Sequence, residues 1–221
     1  MKKLTFLIPF VAVLLLSGCI KDLFNGADSG TYKDTRDNTT YDWIRIGKQV
    51  WMTQNLSWLP SVNLPVDTSK TEPRYYVYGY NGSSVTDAKE SASYITYGVL
   101  YNWEAANNAC PDGWHLPTDA EWTTLTDYLG GLDSAAKSMK SLTGWINNGN
   151  GDNTSGFDAL PGGGLDHQYG FVAINYIGAF YSSSINSSTT AWYRGLSYLD
   201  DKVNRNAPEK TDGYSVRCIR D

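Results

Sequence analysis

Hydrophobic and polar positions follow different rhythms along the chain. Leu4 to Leu16 is apolar except for Thr5. Such a run is too short to cross a hydrocarbon core of about 30 Å, which takes about 20 residues, and it has the length of a signal-peptide core. From Tyr41 the apolar positions alternate or break into short runs. Tyr41–Ile46 and Gln49–Met52, joined by Gly47-Lys48, predict a β-hairpin. Residues 57–74, with Pro60, Pro65 and Pro73, predict a loop. Tyr76, Tyr78 and Tyr80 alternate with Val77 and Gly79 and predict a short strand with one aromatic face, covered by the polar residues 81–93. Val99 to Ala109 carries helical spacing, ended by Cys110-Pro111. A second helix opens on the capping box Thr118-Asp119-Ala120-Glu121, carries the stripe Trp122, Leu125 and Leu129, and stops at Gly130-Gly131. Ser134–Leu142 predicts a third short helix, and the Asn, Gly and Asp of 147–164 an exposed loop around Phe157 and Leu160. Short β segments follow at Ala179–Ser182, Ala191–Leu196, Asp201–Val203 and Tyr214–Ile219. Two main helices among β segments, then an all-β half, predict an α+β fold.

The N-terminal run changes the picture of location. Lys2 and Lys3 precede it, and Leu16-Ser17-Gly18-Cys19 follows it. This resembles the lipobox of bacterial lipoproteins, the alternative being an ordinary secretory signal with a chance cysteine. The expected organisation is a signal peptide at 1–18, a lipidated tether at 19–32, and one domain over 33–221. The implied partner is a membrane, reached through lipid on Cys19. Two acyl chains suffice for stable anchoring. The expected location is the cell envelope, in the outer membrane and facing outward.

Charge and cysteines narrow the reading further. The net charge of −5 becomes −7 once the two lysines of the signal peptide are gone. An acidic chain without a basic run does not suit nucleic acid, whose phosphates demand clustered Lys and Arg. With Cys19 assigned to lipid, Cys110 and Cys218 remain as an even pair in an exported chain. That predicts a disulfide, with two free buried thiols as the alternative. Closing so long a loop is worth about 4–5 kcal/mol in the chain-entropy picture. The 16 Tyr and 8 Trp fit both a β-rich core and an aromatic binding surface.

Several words along the chain carry a family resemblance. They are Asp34-Thr35-Arg36-Asp37 with Tyr41, the stretch Ile46 to Leu56, and Tyr97-Gly98-Val99-Leu100-Tyr101-Asn102-Trp103. Cys110 to Trp122, Gly156 to Gly163 and Gly213-Tyr214-Ser215-Val216-Arg217-Cys218 complete the set. In order and wording they resemble the Fibrobacter succinogenes major paralogous domain, a family common in lipoproteins of Bacteroidetes-type bacteria, over about residues 31–221. That family is similar to the C-type-lectin-like fold shared with formylglycine-generating enzymes. The resemblance implies two main helices packed on a twisted antiparallel sheet, with a Cys110–Cys218 bridge that suits this fold.

Catalytic signatures are sparse. The hydrolase elbow, the P-loop and the dinucleotide fingerprint are absent from the sequence. His115 and His167 are its only histidines, too few for a His-rich zinc site. His115 reads as structural and His167 as solvated. A copper oxygenase of the formylglycine-generating kind needs a reactive cysteine pair, whereas Cys110 and Cys218 suit a bridge. Calcium binding by the C-type-lectin mode lacks its motifs, since Glu72-Pro73-Arg74 and Ala191-Trp192-Tyr193-Arg194 depart from them. Asn150, Asp152, Asn153 and Asp158 offer oxygens for calcium elsewhere, though turn-rich loops use the same residues. No cofactor, no metal and no enzymatic activity are expected, and the chain is expected to be a monomer.

Residues 175–212 resemble in outline the variable region of C-type-lectin-like proteins diversified by retroelements. The implied contacts with an external protein or glycan are Tyr181, Asn186, Tyr193, Arg194, Tyr198, Asn204, Arg205 and Asn206, with Trp192 in the core. The expected function is therefore recognition by an aromatic-rich face. A structural role in surface assembly and an enzyme acting on envelope polymers are the alternatives.

Overall fold

The computed structural model describes residues 28–221. The signal peptide, Cys19 and most of the tether lie outside the described residues. Strand β1 (Ser29–Lys33) occupies the end of the segment expected to be tether. It pairs with β2 (Thr40–Ile46), which turns through Gly47 into β3 (Gln49–Met52). Gly47 has φ +60°, a conformation that costs other residues dearly, so the expected hairpin turns where the glycine permits.

The next segment departs from expectation. The Tyr76–Tyr80 strand shrinks to β4 (Tyr75–Tyr76), because Val77–Tyr80 closes a turn. The polar stretch after it holds two short helices, α1 (Val85–Glu90) and α2 (Ala92–Tyr97), capped by Ser84 and Ser91. The helix expected from Val99 begins instead as strand β5 (Leu100–Tyr101) and becomes α3 (Trp103–Asn107) only after Asn102. Two local causes explain this. Gly98 sits at φ +74° where a β-carbon would collide with the Leu56 carbonyl oxygen, which stops helix before it starts. Asn102 then caps α3, accepting from the Ala105 N–H, while its amide nitrogen donates to Ser69 and Glu72 and fixes the proline-rich loop.

Strand β6 (Trp114–His115) leads to α4 (Asp119–Tyr128), whose Thr118/Glu121 capping box forms as the sequence predicts. A short α5 (Ala135–Met139) follows. The loop after it contains an unanticipated hairpin, β7 (Gly164–Asp166) and β8 (Gly170–Val172). The last part is strand-rich as expected: β9 (Ile177–Ile185), β10 (Ala191–Ser197), β11 (Val203–Asn206), β12 (Tyr214–Ser215) and β13 (Ile219–Arg220).

The architecture corrects the α+β, C-type-lectin-like expectation. The described residues form a mostly β protein of three sheets, in the orders β1-β2-β3-β13-β6, β11-β10-β9-β12-β5-β4 and β7-β8. Its helices are five short ones, and the longest, α4, has ten residues. There are not two main helices on one twisted antiparallel sheet, and β12 even pairs parallel with β9. The helical spacing of Val99–Ala109 misled because a buried strand and a buried helical turn place apolar residues equally often over so short a span.

Both larger sheets are covered on both faces. Along β2, Tyr41 and Trp43 enter one apolar cluster while Ile44 and Ile46 enter another. Along β9, Tyr181 joins the first cluster and Phe180 the second. This is the two-residue period of a strand with apolar partners on both sides. Trp51, Trp122, Phe157 and Phe180 interlock in the second cluster, with Trp51 and Trp122 centroids 4.9 Å apart.

The expected disulfide joins Cys110 to Cys218, with Cα atoms 5.9 Å apart. Next to it, between β12 and β13, Arg217 is wholly buried. Its guanidinium donates to the carbonyls of Met52, Thr53, Phe157 and Asp158 and to the Asn55 side chain. Phe157 lies 4.4 Å from its central carbon. Burial pushes the Arg217 pKa down to about 9, so it remains a cation at neutral pH. Replacing it strands several buried acceptors at once. Arg217→Met is expected to cost about 3 kcal/mol or more, since each buried acceptor left without a donor costs about 1–3 kcal/mol. Urea unfolding of the oxidised protein measures it, and a loss under about 1 kcal/mol would show that these carbonyls find other donors.

Candidate binding surfaces

The residues proposed to contact a ligand do not form one patch. Tyr181 is fully buried, its hydroxyl donating to the carbonyls of Glu209 and Asp212. Arg194 is also fully buried and donates to Asp119 and Thr123 of α4. Both are corrected from contact residues to core residues. The cause is the double coverage of the six-stranded sheet: β9 and β10 have no bare face at these positions.

Trp192 moves the other way. The β9–β10 register shifts between Ala191 and Tyr193, which places Trp192 at a bulge. A bulge re-aims its side chain. Trp192 is therefore half-buried rather than core, with the Arg205 guanidinium 3.5 Å from its ring centroid. Arg205 also grips the Asp119 carboxylate through both oxygens. Burial alone would raise the Asp119 pKa, but the hydrogen bonds from Arg205 and Arg194 outweigh it and hold it below 3.8.

The remaining candidates divide by strand face. β11 is an edge strand, and Asn204, Arg205 and Asn206 are all exposed on it. Asn206 pairs across from Tyr193, and Asn204 across from Gly195, so these share one face. Arg205 pairs across from Arg194 and faces α4. Tyr193 stacks on Tyr214 at 5.2 Å. Asn186 is exposed in the β9–β10 loop, bonded to Thr190. Tyr198 is separate from all of these, edge-on to Tyr176.

The oxygens considered for calcium are engaged within the protein. Asn150 accepts from the Trp145 N–H, Asp152 from Thr154, and Asn153 and Asp158 bond each other. Among the described residues no three His, Cys, Asp or Glu side chains converge as a metal cluster.

The histidines carry more than expected. His167 Nδ1 lies 2.7 Å from Asp212, whose carboxyl pKa burial raises despite that bond. His115 bridges two carboxylates, Glu121 at 2.9 Å and Asp221 at 2.6 Å. Glu121 at the same time closes the α4 capping box.

Sequence reading missed a cleft of about 720 Å³ over the five-stranded sheet. Arg45, Lys48 and Arg220 line it together with Tyr32 and Trp114, and Asp112, Glu121 and Asp221 also border it. The one available signal was a basic residue two places from a tryptophan on a strand, Trp43-Ile44-Arg45. Pairing it with Arg220 required the sheet.

The fold, then, is a mostly β, singly disulfide-bonded domain built around a buried arginine. The chain belongs to the Fibrobacter succinogenes major domain family, whose model matches residues 44–220. No curated protein and no solved structure matches it.

A pH dependence follows from the His115 clasp. Burial pushes the His115 pKa down, but the bonds to Glu121 and Asp221 overcome this and raise it above the ordinary 6.5. A raised histidine stabilises the fold at low pH and loses that contribution as pH rises through its folded value. Glu121 is held below 4.5, burial being outweighed by Thr118 and His115, so its share is lost as pH falls through that lowered value. The melting-temperature gap between wild type and His115→Gln should be widest in mildly acidic solution and shrink above neutrality. A gap that does not change across this range would show that the clasp is electrostatically silent.

Proposed function

We propose that the chain is a non-catalytic recognition module of the cell envelope, held to the membrane by lipid on Cys19. Its binding surface for an external protein or glycan is the β10–β11 edge. One observation carries the reading: Asn204, Arg205 and Asn206 are exposed in succession on an edge strand whose base is locked. Arg205 is fixed between Trp192 and Asp119, and Tyr193 is fixed on Tyr214. Polar groups held by a rigid base lose little entropy on binding, which favours recognition. The exposed Asn186 adds a further contact, and Tyr198 lies outside this surface.

No helix among the described residues is long and apolar enough to cross a membrane. Outer-membrane placement with the domain facing outward completes the proposal. Cys19→Ala should abolish metabolic labelling with a fatty acid, and undiminished label would overturn the anchor. On protein and glycan arrays the lipidated protein in detergent should bind at least one ligand. The Asn204→Ala/Asn206→Ala variant should weaken that binding by roughly tenfold, as expected when two hydrogen-bonding side chains are lost. Undiminished binding would move the site elsewhere. No ligand on either array would favour a structural role in cell-surface assembly.

A further inference from the structure

The main chain of β11 is only half used. Its pairing sets Tyr193 opposite Asn206 and Gly195 opposite Asn204. The same register continues past the strand, where the Ala191 N–H donates to the Pro208 carbonyl and the Lys210 N–H to that of Thr189. Bonded and non-bonded pairs alternate along an antiparallel ladder. Asn204 and Asn206 therefore aim their main-chain groups at β10, and Val203, Arg205 and Ala207 aim theirs away from it. The Val203 N–H fits this phase, donating outward to the Leu132 carbonyl at 2.7 Å. The Val203 carbonyl and the N–H and carbonyl groups of Arg205 and Ala207 bond nothing among the described residues. At the opposite edge of the same sheet the outward groups are closed. There the Tyr75 N–H donates to the Asn63 side chain, and the Asn63 N–H to the Tyr75 carbonyl. An open, unbonded edge is a template for another strand.

Side chains add a charge pattern to this edge. Arg194 and Arg205 are cross-strand partners and share one carboxylate, that of Asp119. The Arg205 bonds to Asp119 run through Nε and Nη2, while Nη1 bonds nothing among the described residues. With the Arg205 side chain 37% exposed, a carboxylate arriving at the edge reaches that nitrogen. The face toward α4 thus carries two cations against one anion. On the other face Asn204 and Asn206 present amides, which pair with amides or hydroxyls. Opposite charges directly across a ladder stabilise it and like charges destabilise it. A second copy of the chain, paired symmetrically about Arg205, sets two like charges face to face, whereas an acidic residue there is favoured.

We propose that β11 takes up an extended segment of a partner protein as an added strand, with an Asp or Glu of that segment opposite Arg205. Hydroxyl- or amide-bearing residues then lie opposite Asn204 and Asn206. The inference rests on the recognition reading above and specifies its ligand as peptide. In this mode main-chain bonds supply the affinity and alternate side chains the specificity. The residue facing Arg205 exchanges both main-chain bonds with it, and the Ala207 N–H and the Val203 carbonyl extend the ladder on either side. Leu132, holding the Val203 N–H, ends the ladder there.

Fluorescence anisotropy on the lipidated protein in detergent tests the proposal. The probe is a labelled peptide, Val-Thr-Glu-Thr-Val, capped at both ends, which should bind saturably. N-methylation at its glutamate removes the N–H given to the Arg205 carbonyl and should weaken binding roughly tenfold. Glutamine in place of the glutamate should weaken it roughly threefold, the worth of a cross-strand charge pair. That preference should vanish in Arg205→Gln. Ala207→Pro removes an N–H that bonds nothing among the described residues, and edge strands tolerate proline. The variant should keep the wild-type melting temperature and bind roughly tenfold more weakly. Peptide binding indifferent to N-methylation or to Ala207→Pro would overturn the added strand, and equal binding of the glutamine peptide would overturn the acidic partner. A glycan bound at Asn204 and Asn206 with no peptide bound would overturn this inference and leave the recognition reading standing. A dimer in sedimentation that Ala207→Pro dissolves would give the edge to a second copy and overturn it too. Binding to neither peptide nor glycan would overturn both.

Discussion

Arg217 is the point on which the two larger sheets depend. It lies where the chain leaves β12 of the six-stranded sheet and enters β13 of the five-stranded one. Its guanidinium gathers the chain after β3, through Met52, Thr53 and Asn55, and the loop at Phe157 and Asp158. A buried cation is costly unless its donors are satisfied. Here carbonyls from distant segments satisfy most of them, so desolvation of one side chain enforces the meeting of three pieces of chain. The neighbouring Cys110–Cys218 bridge fixes the same junction covalently, and Met52 N–H bonds the Cys218 carbonyl beside it.

From that junction follows the distribution of aromatic residues. Because both larger sheets carry buried apolar residues on both faces, most large rings are consumed by packing. Trp51, Trp122, Phe157 and Phe180 fill one cluster, and Tyr41, Tyr101 and Tyr181 another. The aromatic richness therefore chiefly records a doubly covered β core. Some rings still reach the surface, among them Tyr128, Tyr169 and Tyr176, while Trp192 at a bulge and Tyr32 on the edge strand β1 are half-buried.

The first turn of α4 connects the two surfaces that remain. Asp119 holds Arg194 and Arg205 beneath the β10–β11 edge, while Glu121, two residues on, borders the cleft and holds His115. The capping box is thus more than a helix start. Its carboxylates position cations and a histidine on both sides, which explains why an acidic first turn serves this fold beyond its favourable interaction with the helix dipole.

The sequence alone determined those features that depend on local chemistry. The hairpin through Gly47-Lys48, the capped helix after Thr118, the strand-rich last part, the pairing of Cys110 with Cys218 and the family were all legible, because turn residues, caps and cysteine parity act over short or countable distances. Tertiary structure decided the rest. Leu100–Tyr101 became a strand because β4 and β12 flank it. Tyr181 and Arg194 became core because both faces of their sheet are covered, and Trp192 came out because its strand bulges. The cleft is set by side chains far apart in sequence, Arg45 and Arg220 above all, that a shared sheet brings together. Burial and convergence depend on what lies across from a residue, and its neighbours along the chain carry no record of that.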